Sequence, residues 1–589
     1  MKHTILTLLI FCSLTLLAQD KPVIYTNQVA FDINGPKSAL VGNGQKLPPH
    51  TAFALVDAGN SKPVFTGTLG PAQQITEWRP GQYFYKADFS GFNKAGKYRI
   101  SVHVGSKTSL SDAFEVKPDA LAQSTIQSIL HYYRRQRANT PGELAADAKM
   151  KLLGTGQTVD IHGGWCDASG DVSKYFSHLA YANFMSPQQI PLVTWSMVYA
   201  DEAVPKLLTR LGAKDSIESE ALWGADYMMR ALSKEGYFYM IVFSYFNKDP
   251  NARRIVGLHA NSVTTNEYQS AFREGGGMAI AALARISRWK KHGDFTSAQY
   301  LDAAKRAFAH LLVNNTKYDD DGKENIIDDY CALMAATELW IATSDVQYRT
   351  EARKRAEKLS TRLTRTGYFR ADDGSRPYWH ASDAGLPIIA LARFAKQETD
   401  EVYRAQALQT IKASLDYELR VTNEVNNPFG YARQTFKYKD KIQDGFFIPH
   451  ENETGWWWQG ENARLGSLAA AAIVGGRMAY PANNAWKVKP ALAAFATDQL
   501  NWILGSNPYQ MCFMYNFGSK NVPYMHSNFG HGSERGGISN GITGGDGKAD
   551  GSDIDFKTEA QGNEWRWTEQ WIPHAAWFLQ AIAAMAEEK

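Results

Sequence analysis

Apolar and polar positions alternate along the first part of the chain and recur with a helical period along the rest. Between Val23 and Val116 the residues Tyr83, Tyr85, Ala87 and Phe89 fall on alternate positions, as do Tyr98, Ile100, Val102 and Val104. That is the period of half-buried strands. The turn Asn93-Lys94-Ala95-Gly96 between these two runs suits a hairpin joining them. About ninety-five residues of this character predict a β-sandwich of immunoglobulin type. At Lys117-Pro118-Asp119 the proline stops the strand and the aspartate can cap a following helix, which marks a junction.

From Ala120 the pattern turns helical, over Ala120 to Arg137, Ile217 to Leu232, Gly277 to Lys290 and Asp328 to Ala342. Later segments are Asp400 to Val421, Glu461 to Met478, Pro490 to Leu504 and Pro573 to Glu587. With weaker segments this gives roughly a dozen helices, joined by long loops rich in Gly, Asp, Asn and aromatics, a type of loop that is usually functional. An all-helical domain of this length folds as a superhelical array or as a closed double ring of helices. No repeat of about 34 or about 40 residues is visible, which favours the ring.

The start of the chain adds a leader. Met-Lys-His precedes an apolar run from Ile5 to Leu17 and then Ala18-Gln19-Asp20, the three regions of a secretory signal peptide cleaved after Ala18. The run is too short to span a bilayer comfortably. The expected organisation is therefore a signal peptide at 1–18, a sandwich at 19–117 and a helical domain at 118–589, exported to the periplasm or beyond, with no membrane insertion after cleavage.

Charge and cysteine content narrow the partners. The 63 basic and 60 acidic residues give a net charge of +3 with no basic stripe, which excludes nucleic acid and anionic lipid and favours a neutral ligand. Of four cysteines, Cys12 lies in the leader, so Cys166, Cys331 and Cys512 permit at most one intramolecular disulfide. No Cys or His cluster has zinc-ligand spacing, and no metal centre is expected. The chain is expected to act as a monomer.

The chemistry concentrates in three stretches. Gly163-Gly164-Trp165-Cys166-Asp167-Ala168-Ser169-Gly170-Asp171-Val172-Ser173-Lys174-Tyr175 reads as a glycine-rich loop running into a helix, with two carboxylates four positions apart. Inverting hydrolysis of a glycosidic bond needs one carboxylate to activate water and one carboxylic acid to protonate the leaving oxygen. A close Asp pair can supply the first function. On the plainer alternative, Asp171 only caps a helix beginning at Val172 and Asp167 is a turn residue.

Near the C-terminus, Asn563-Glu564-Trp565-Arg566-Trp567-Thr568-Glu569-Gln570-Trp571 with Trp577 surrounds two glutamates by tryptophans. An apolar wall raises a carboxyl pKa, as a general acid requires. Glu569 is the first choice and Glu564 the reserve, against the alternative of salt-bridged glutamates at a helix start. The third stretch is Gly455-Trp456-Trp457-Trp458-Gln459-Gly460 after His450-Glu451-Asn452-Glu453. Trp457 or Trp458, with Trp165 and Trp571, can stack on a sugar face, and Glu453 is a candidate contact. Asp319-Asp320-Asp321-Gly322 has the oxygen density of a calcium loop without its full spacing. A structural calcium is thus a candidate there beside a solvated turn, and the hydrolytic chemistry itself requires no cofactor.

At these residues the chain resembles glycoside hydrolase family 9, mostly inverting β-1,4-glucanases built on an (α/α)6 barrel, and the likeness covers nearly all of the mature chain. Gly163 to Tyr175 is similar to the family's Gly-Gly-Trp-Tyr-Asp-Ala-Gly-Asp-Tyr-Gly-Lys-Tyr loop, which implies Asp171 as catalytic base and Asp167 as its helper. Leu504-Gly505-Ser506-Asn507-Pro508, Phe517-Gly518 and Pro523-Tyr524-Met525-His526 resemble the stretch that carries a substrate-binding histidine, which implies His526. Asp328-Asp329 leading into Ala335-Ala336-Thr337-Glu338-Leu339 resembles a family helix start. Val23 to Val29 and Asp88-Phe89-Ser90-Gly91 resemble the immunoglobulin-like module that precedes such barrels.

Three departures bear on function. Ser169 adds a residue between the aspartates. The family's Asn-Glu-Val-Ala-Ile-x-Tyr-Asn-Ala pattern around the acid is matched only at Glu569, Ile572 and Ala576. The variant also resembles a branch from polysaccharide-degrading bacteria. The resemblance implies a β-1,4-glucan partner, cellulose-like, mixed-linkage or xyloglucan. Alternatives are an exo-acting β-glucosidase or glucosaminidase, and a glycan-binding protein without catalysis.

Overall fold

The computed structural model describes residues 21–178, 187–245, 247, 249–259, 263–452, 459–525, 530–559 and 564–588. Nine strands come first: β1 (Val23–Tyr25), β2 (Ala30–Asp32), β3 (Ser38–Asn43), β4 (Ala52–Asp57), β5 (Pro63–Thr68), β6 (Tyr83–Asp88), β7 (Gly96–Val104), β8 (Lys107–Leu110) and β9 (Phe114–Lys117). They form a three-stranded sheet in the order β1-β3-β6 and a larger one in the order β2-β9-β7-β4-β5, with β8 on β7. Ile24, Phe31, Val41, Leu55, Ala87, Ile100 and Phe114 are buried together in one core. The expected hairpin between β6 and β7 is corrected. β6 pairs with β3 and β7 with β4, so the two belong to different sheets. Their connection crosses the core because Phe89 and Phe92 are buried inside it.

Helices follow: α1 (Ala120–Gln136), α2 (Pro141–Asp147), α3 (Ile190–Ala203), α4 (Pro205–Arg210), α5 (Lys214–Ala231), α6 (Gly277–Ile286), α7 (Ser297–Tyr318) and α8 (Ile326–Thr343). Then come α9 (Val346–Thr361), α10 (Leu386–Gln397), α11 (Glu401–Asn423), α12 (Asn462–Ala479), α13 (Pro490–Ile503), α14 (Trp565–Thr568) and α15 (Ile572–Met585). Asp119 does not cap α1. Its backbone is left-handed, at φ 46°, and its side chain makes no capping bond.

Six helices are apolar nearly all round, which confines them to the interior. Every residue of α6 is buried, as are Ile326 to Trp340 of α8 and Ile572 to Ala584 of α15. These helices pack in cyclic order, α3 on α6, α6 on α8, α8 on α10, α10 on α12, α12 on α15, and α15 back on α3. Between them in sequence lie α5, α7, α9, α11 and α13, which bury one stripe each. Because inner and outer helices alternate, the N-terminal ends of the inner helices gather at one end of the domain. Polar residues collect there: Gln189 before α3, Glu274 before α6, Asp328 in the first turn of α8, Asp383 before α10, Glu461 before α12 and Glu569 before α15. Negative charge is favoured at helix N-termini.

The opposite end is tied by one charge. Glu338 of α8 is buried and accepts from Arg393 Nε at 2.9 Å, Arg393 Nη2 at 2.8 Å and Trp195 Nε1 at 3.0 Å, with Arg285 Nη1 at 3.5 Å. It thereby joins α3, α6, α8 and α10. Against the effect of burial, Arg393 and Arg285 hold its carboxyl down to about 2.

The strand domain shares its core with the helices. Tyr25, Ile75, Trp78 and Phe84 belong to the same buried cluster as the helical interior, and the Trp78 ring lies 4.5 Å from that of Phe446 and 5.7 Å from that of Trp502. Gln28 donates to Gln510 O at 2.7 Å and accepts from Ser519 N at 3.0 Å. Gly505, at φ 120°, has its Cα against the Gln28 amide, where a Cβ would come within 2.5 Å. Cys166, Cys331 and Cys512 are buried and free. No helix of the described residues is long and apolar enough to cross a membrane.

Replacing Glu338 by Gln removes the counter-charge from the buried Arg285 and the half-buried Arg393 and is expected to cost about 3 kcal/mol in denaturant unfolding. The folded pKa lies below the ordinary glutamate value of 4.5, so this contribution is present above that value and lost as pH falls toward about 2. The gap between variant and wild type should therefore narrow in acid.

Candidate functional site

The stretch from Asp167 to Tyr175 does not enter a helix. Lys174–Tyr175 is a short strand that pairs with Ile241–Phe243, with Lys174 opposite Val242 and Tyr175 opposite Ile241. This removes the alternative in which Asp171 only caps a helix. The buried Lys174 amine fixes the strand by donating to Asp147 Oδ2 at 2.8 Å, Ile161 O at 2.8 Å and Gly163 O at 2.9 Å.

The loop before that strand is laced to the segment before α15. Ser169 N donates to Gln570 O at 2.8 Å, Gln570 N to Ser169 Oγ at 2.8 Å, and Ile572 N to Asp167 O at 3.1 Å. Ser169, the residue added between the aspartates, is thus the one that grips the strand carrying the glutamate. Gly170, at φ 105°, donates its N–H to His531 O at 2.7 Å. The lacing brings Asp167, Asp171 and Glu569 into one electrostatic cluster.

Each carboxyl has a distinct environment. Asp171 Oδ1 accepts from Ser173 N at 2.8 Å and Ser244 Oγ at 2.9 Å. Burial raises its pKa, and these donors oppose the rise. Asp167 Oδ1 accepts from Trp571 Nε1 at 2.7 Å. Burial and the neighbouring Asp171 push its carboxyl well above the usual range. Burial, then Asp167 and Asp171, likewise lift Glu569 well above it, opposed only by Asn540 Nδ2 at 3.5 Å. Three buried carboxyls cannot all ionise together. Asp171, with the most donors, holds negative charge most readily, whereas burial and the neighbouring carboxyls push Asp167 and Glu569 toward their protonated forms.

The other expected contacts divide. Trp165 is fully buried, edge-on to Tyr133 at 5.8 Å, with its indole N–H on Glu220 Oε2 at 3.3 Å. It has no open face for a sugar, and the expectation that it stacks on substrate is corrected. Trp571 is also buried; its indole holds Asp167 rather than facing outward. Glu564 stands half-buried at the start of α14, five positions from Glu569. His526, Glu453, Trp457 and Trp458 lie outside the described residues. Ser244, Asn540 and Gln570 carry no motif that marks them, since long-range backbone pairing alone brings them here.

Two groups bear on metal binding. Glu143, Cys166 and His531 have ligand-type atoms within 4.8 Å of one another. His531 directs Nε2 to Glu143 Oε1 at 2.8 Å and Nδ1 to Arg135 O at 3.0 Å. Against burial, Cys166 and Glu143 hold the imidazole protonated up to about 11, and Glu143 is held down to about 2. Both ring nitrogens then carry protons and offer no lone pair to a metal. At Asp319-Asp320-Asp321, the buried Arg273 guanidinium lies 3.1 Å from Asp319, 2.6 Å from Asp320 and 3.1 Å from Asp321. A calcium there competes with a cation the chain already supplies.

Two aspartates and a glutamate buried in one cluster are the residue types that glycoside hydrolysis uses. The glycosyl hydrolase family 9 profile matches residues 123–557, and that of the cellulase N-terminal immunoglobulin-like domain matches residues 19–107. The chain belongs to glycosyl hydrolase family 9. It is 23% identical over 392 residues to endoglucanase 13 of Oryza sativa, across 63% of this chain and 56% of that protein. It is 25% identical over 379 residues to a cellodextrinase of Butyrivibrio fibrisolvens, across 59% of this chain and 63% of that protein. The chain thus spans just over half to under two thirds of these relatives. Among solved structures, a metagenome-derived family 9 endoglucanase superposes with a TM-score of 0.68 at 16% identity, covering 96% of this chain and 99% of that one. A Bacteroides ovatus family 9 protein gives 0.62 at 18%, covering 96% and 98%. These likenesses carry the fold.

Gly170→Ala places a Cβ on a left-handed backbone that must keep its N–H on His531. It is expected to lower stability by about 1–2 kcal/mol, read by urea unfolding.

Proposed function

We propose that the protein is an inverting glycoside hydrolase that cleaves β-1,4-linked glucan chains or their oligosaccharides. The observation that carries this reading is the lacing of the Asp167–Asp171 loop to Gln570–Ile572, which brings both aspartates into one buried cluster with Glu569. Asp171 is the base, Asp167 helps hold the water, and Glu569 is the acid. The water oxygen bonds to the anomeric carbon as its proton passes to Asp171. The glycosidic C–O bond breaks, and the leaving oxygen takes the proton of Glu569. The two protonation states then reset through solvent. No cofactor takes part.

The cyclic order of the six buried helices supports an (α/α)6 barrel, with the carboxyls at the end where the inner helices begin. The endoglucanase relatives favour a glucan substrate, and the cellodextrinase relative favours short soluble chains. The apolar run at 5–17 supports export to the periplasm or medium. The protein acts as a monomer, with His526, Glu453, Trp457 and Trp458 as candidate sugar contacts and Glu564 as the reserve acid.

Asp171→Asn and Glu569→Gln are each expected to lower kcat on cello-oligosaccharides by about 10²–10⁴-fold while circular dichroism and melting stay close to wild type. Near-wild-type turnover in either variant would remove that residue from the mechanism.

A further inference from the structure

Glu143 and His531 form a buried pair that the hydrolytic step does not use. Helix α1 ends at Gln136, and its last carbonyls have no partner inside the helix. Two of them are taken from outside. Gln136 O accepts from Cys166 N at 2.8 Å, and the His531 ring sets Nδ1 on Arg135 O at 3.0 Å. The other ring nitrogen meets Glu143 Oε1 of α2 at 2.8 Å. Thr140 holds Glu143 in turn, donating its N–H to Oε2 at 3.0 Å and its hydroxyl to the same oxygen at 2.7 Å. Because both ring nitrogens face acceptors, both carry protons, and a cation at the C-terminal end of α1 meets the partial negative charge there.

The same histidine grips the Asp167–Asp171 loop through its main chain. Gly170 N, next to Asp171, donates to His531 O at 2.7 Å. The residues after it are fixed as well: Gln136 Nε2 reaches Gly532 O at 3.4 Å, and Ser533 closes on Met525, with Ser533 N on Met525 O at 3.2 Å and Met525 N on Ser533 Oγ at 2.9 Å. Ser169 Oγ in turn meets Met525 Sδ at 3.5 Å. Ser169 and Gly170 therefore rest on the segment around His531, and the imidazole ties that segment to α1 and α2. Glu143 and His531 are both buried. A packed apolar pair would fill the space without the cost of desolvating two charges, but would supply neither tie.

We propose that His531, locked by Glu143 and the end of α1, is a positioning residue of the hydrolytic site, holding the loop between Asp167 and Asp171 at the place where its aspartates act on water. This rests on the assignment of Asp167 and Asp171 as hydrolytic carboxyls. Ser169 on Gln570 fixes the loop against the glutamate, and Gly170 on His531 fixes it against the rest of the domain. A carboxylate displaced by about 1 Å from its working position can cost on the order of 10²-fold in rate, so the lock bears on turnover rather than on sugar affinity.

The test is kcat and KM on a cello-oligosaccharide for Glu143→Ala, Glu143→Gln and Thr140→Ala, measured over a range of temperatures at which circular dichroism shows each variant folded. Glu143→Ala is expected to lower kcat by about 10–100-fold with KM little changed, and the loss should persist on cooling, unlike one caused by partial unfolding. Glu143→Gln should recover most of it, because the amide N–H can donate to His531 Nε2 once the imidazole is neutral, while Nδ1 stays on Arg135 O. Thr140→Ala, which loses the α2 cap and leaves Glu143 on His531, should keep wild-type kcat. If Glu143→Ala does not fold, His531→Gln, which keeps a donor toward Glu143 and gives up Arg135 O, is expected to lower kcat by about tenfold. Wild-type kcat in the folded Glu143→Ala or His531→Gln variant, an equal loss in Thr140→Ala, or no recovery in Glu143→Gln overturns the proposal. Full activity in Asp171→Asn would instead defeat the assignment on which it rests.

Discussion

The pairing between Ser169, through its N–H and hydroxyl, and the Gln570 backbone is the constraint on which the site depends. The two residues are 401 positions apart, and each hydrogen bond they form fixes a carboxyl-bearing neighbour. Asp167 and Asp171 belong to one side and Glu569 to the other. Helix packing alone brings the C-terminal helix beside the first inner helix. It does not set the register at which a glutamate faces two aspartates. That register is set by the short ladder from Ser169 to Ile572, supported by Gly170 on His531 and by Tyr133 on Ile572.

Charge is distributed in keeping with this arrangement. One end of the helical domain collects carboxyls before the inner helices, where the helix N-termini favour negative charge. The opposite end is closed by Glu338 with Arg285 and Arg393, which compensate one another and are committed to structure. The end that carries Asp167, Asp171 and Glu569 differs because its donors are unevenly shared. Asp171 has its two serines, Asp167 has Trp571, and Glu569 has only a long contact from Asn540. That inequality favours charge on Asp171 over the other two carboxyls, and hydrolysis by inversion needs such a division between a charged and a protonated group.

Much of the fold was legible in the sequence because periodicity reports burial. The alternation at Tyr83 to Phe89 and Tyr98 to Val104 marked two strands, and the segments at 277, 461 and 490 began within about a residue of the observed helices. What local pattern could not show was which strand pairs with which: the turn at 93–96 read as a hairpin, yet the chain crosses between sheets there because Phe89 and Phe92 enter the core. Similarly, Val172 to Tyr175 read as a helix start, whereas pairing with Ile241–Phe243 makes it a strand. The two aspartates stood out by spacing and Glu569 by its tryptophans. The tryptophans were harder to place, since an indole beside a motif reads the same whether it meets a sugar, as expected of Trp165, or fills a core, as it does. Ser244 and Asn540 were invisible, because only tertiary contact brings them to the carboxyls.

The most direct measurement is proton NMR of the first products released by the purified protein from a soluble β-1,4-glucan oligosaccharide, recorded before the anomers equilibrate. The account predicts that the new reducing end appears first as the α-anomer. A β-anomer appearing first would contradict direct attack by water held at Asp171, and no cleavage across a panel of β-glucans would contradict the hydrolase itself.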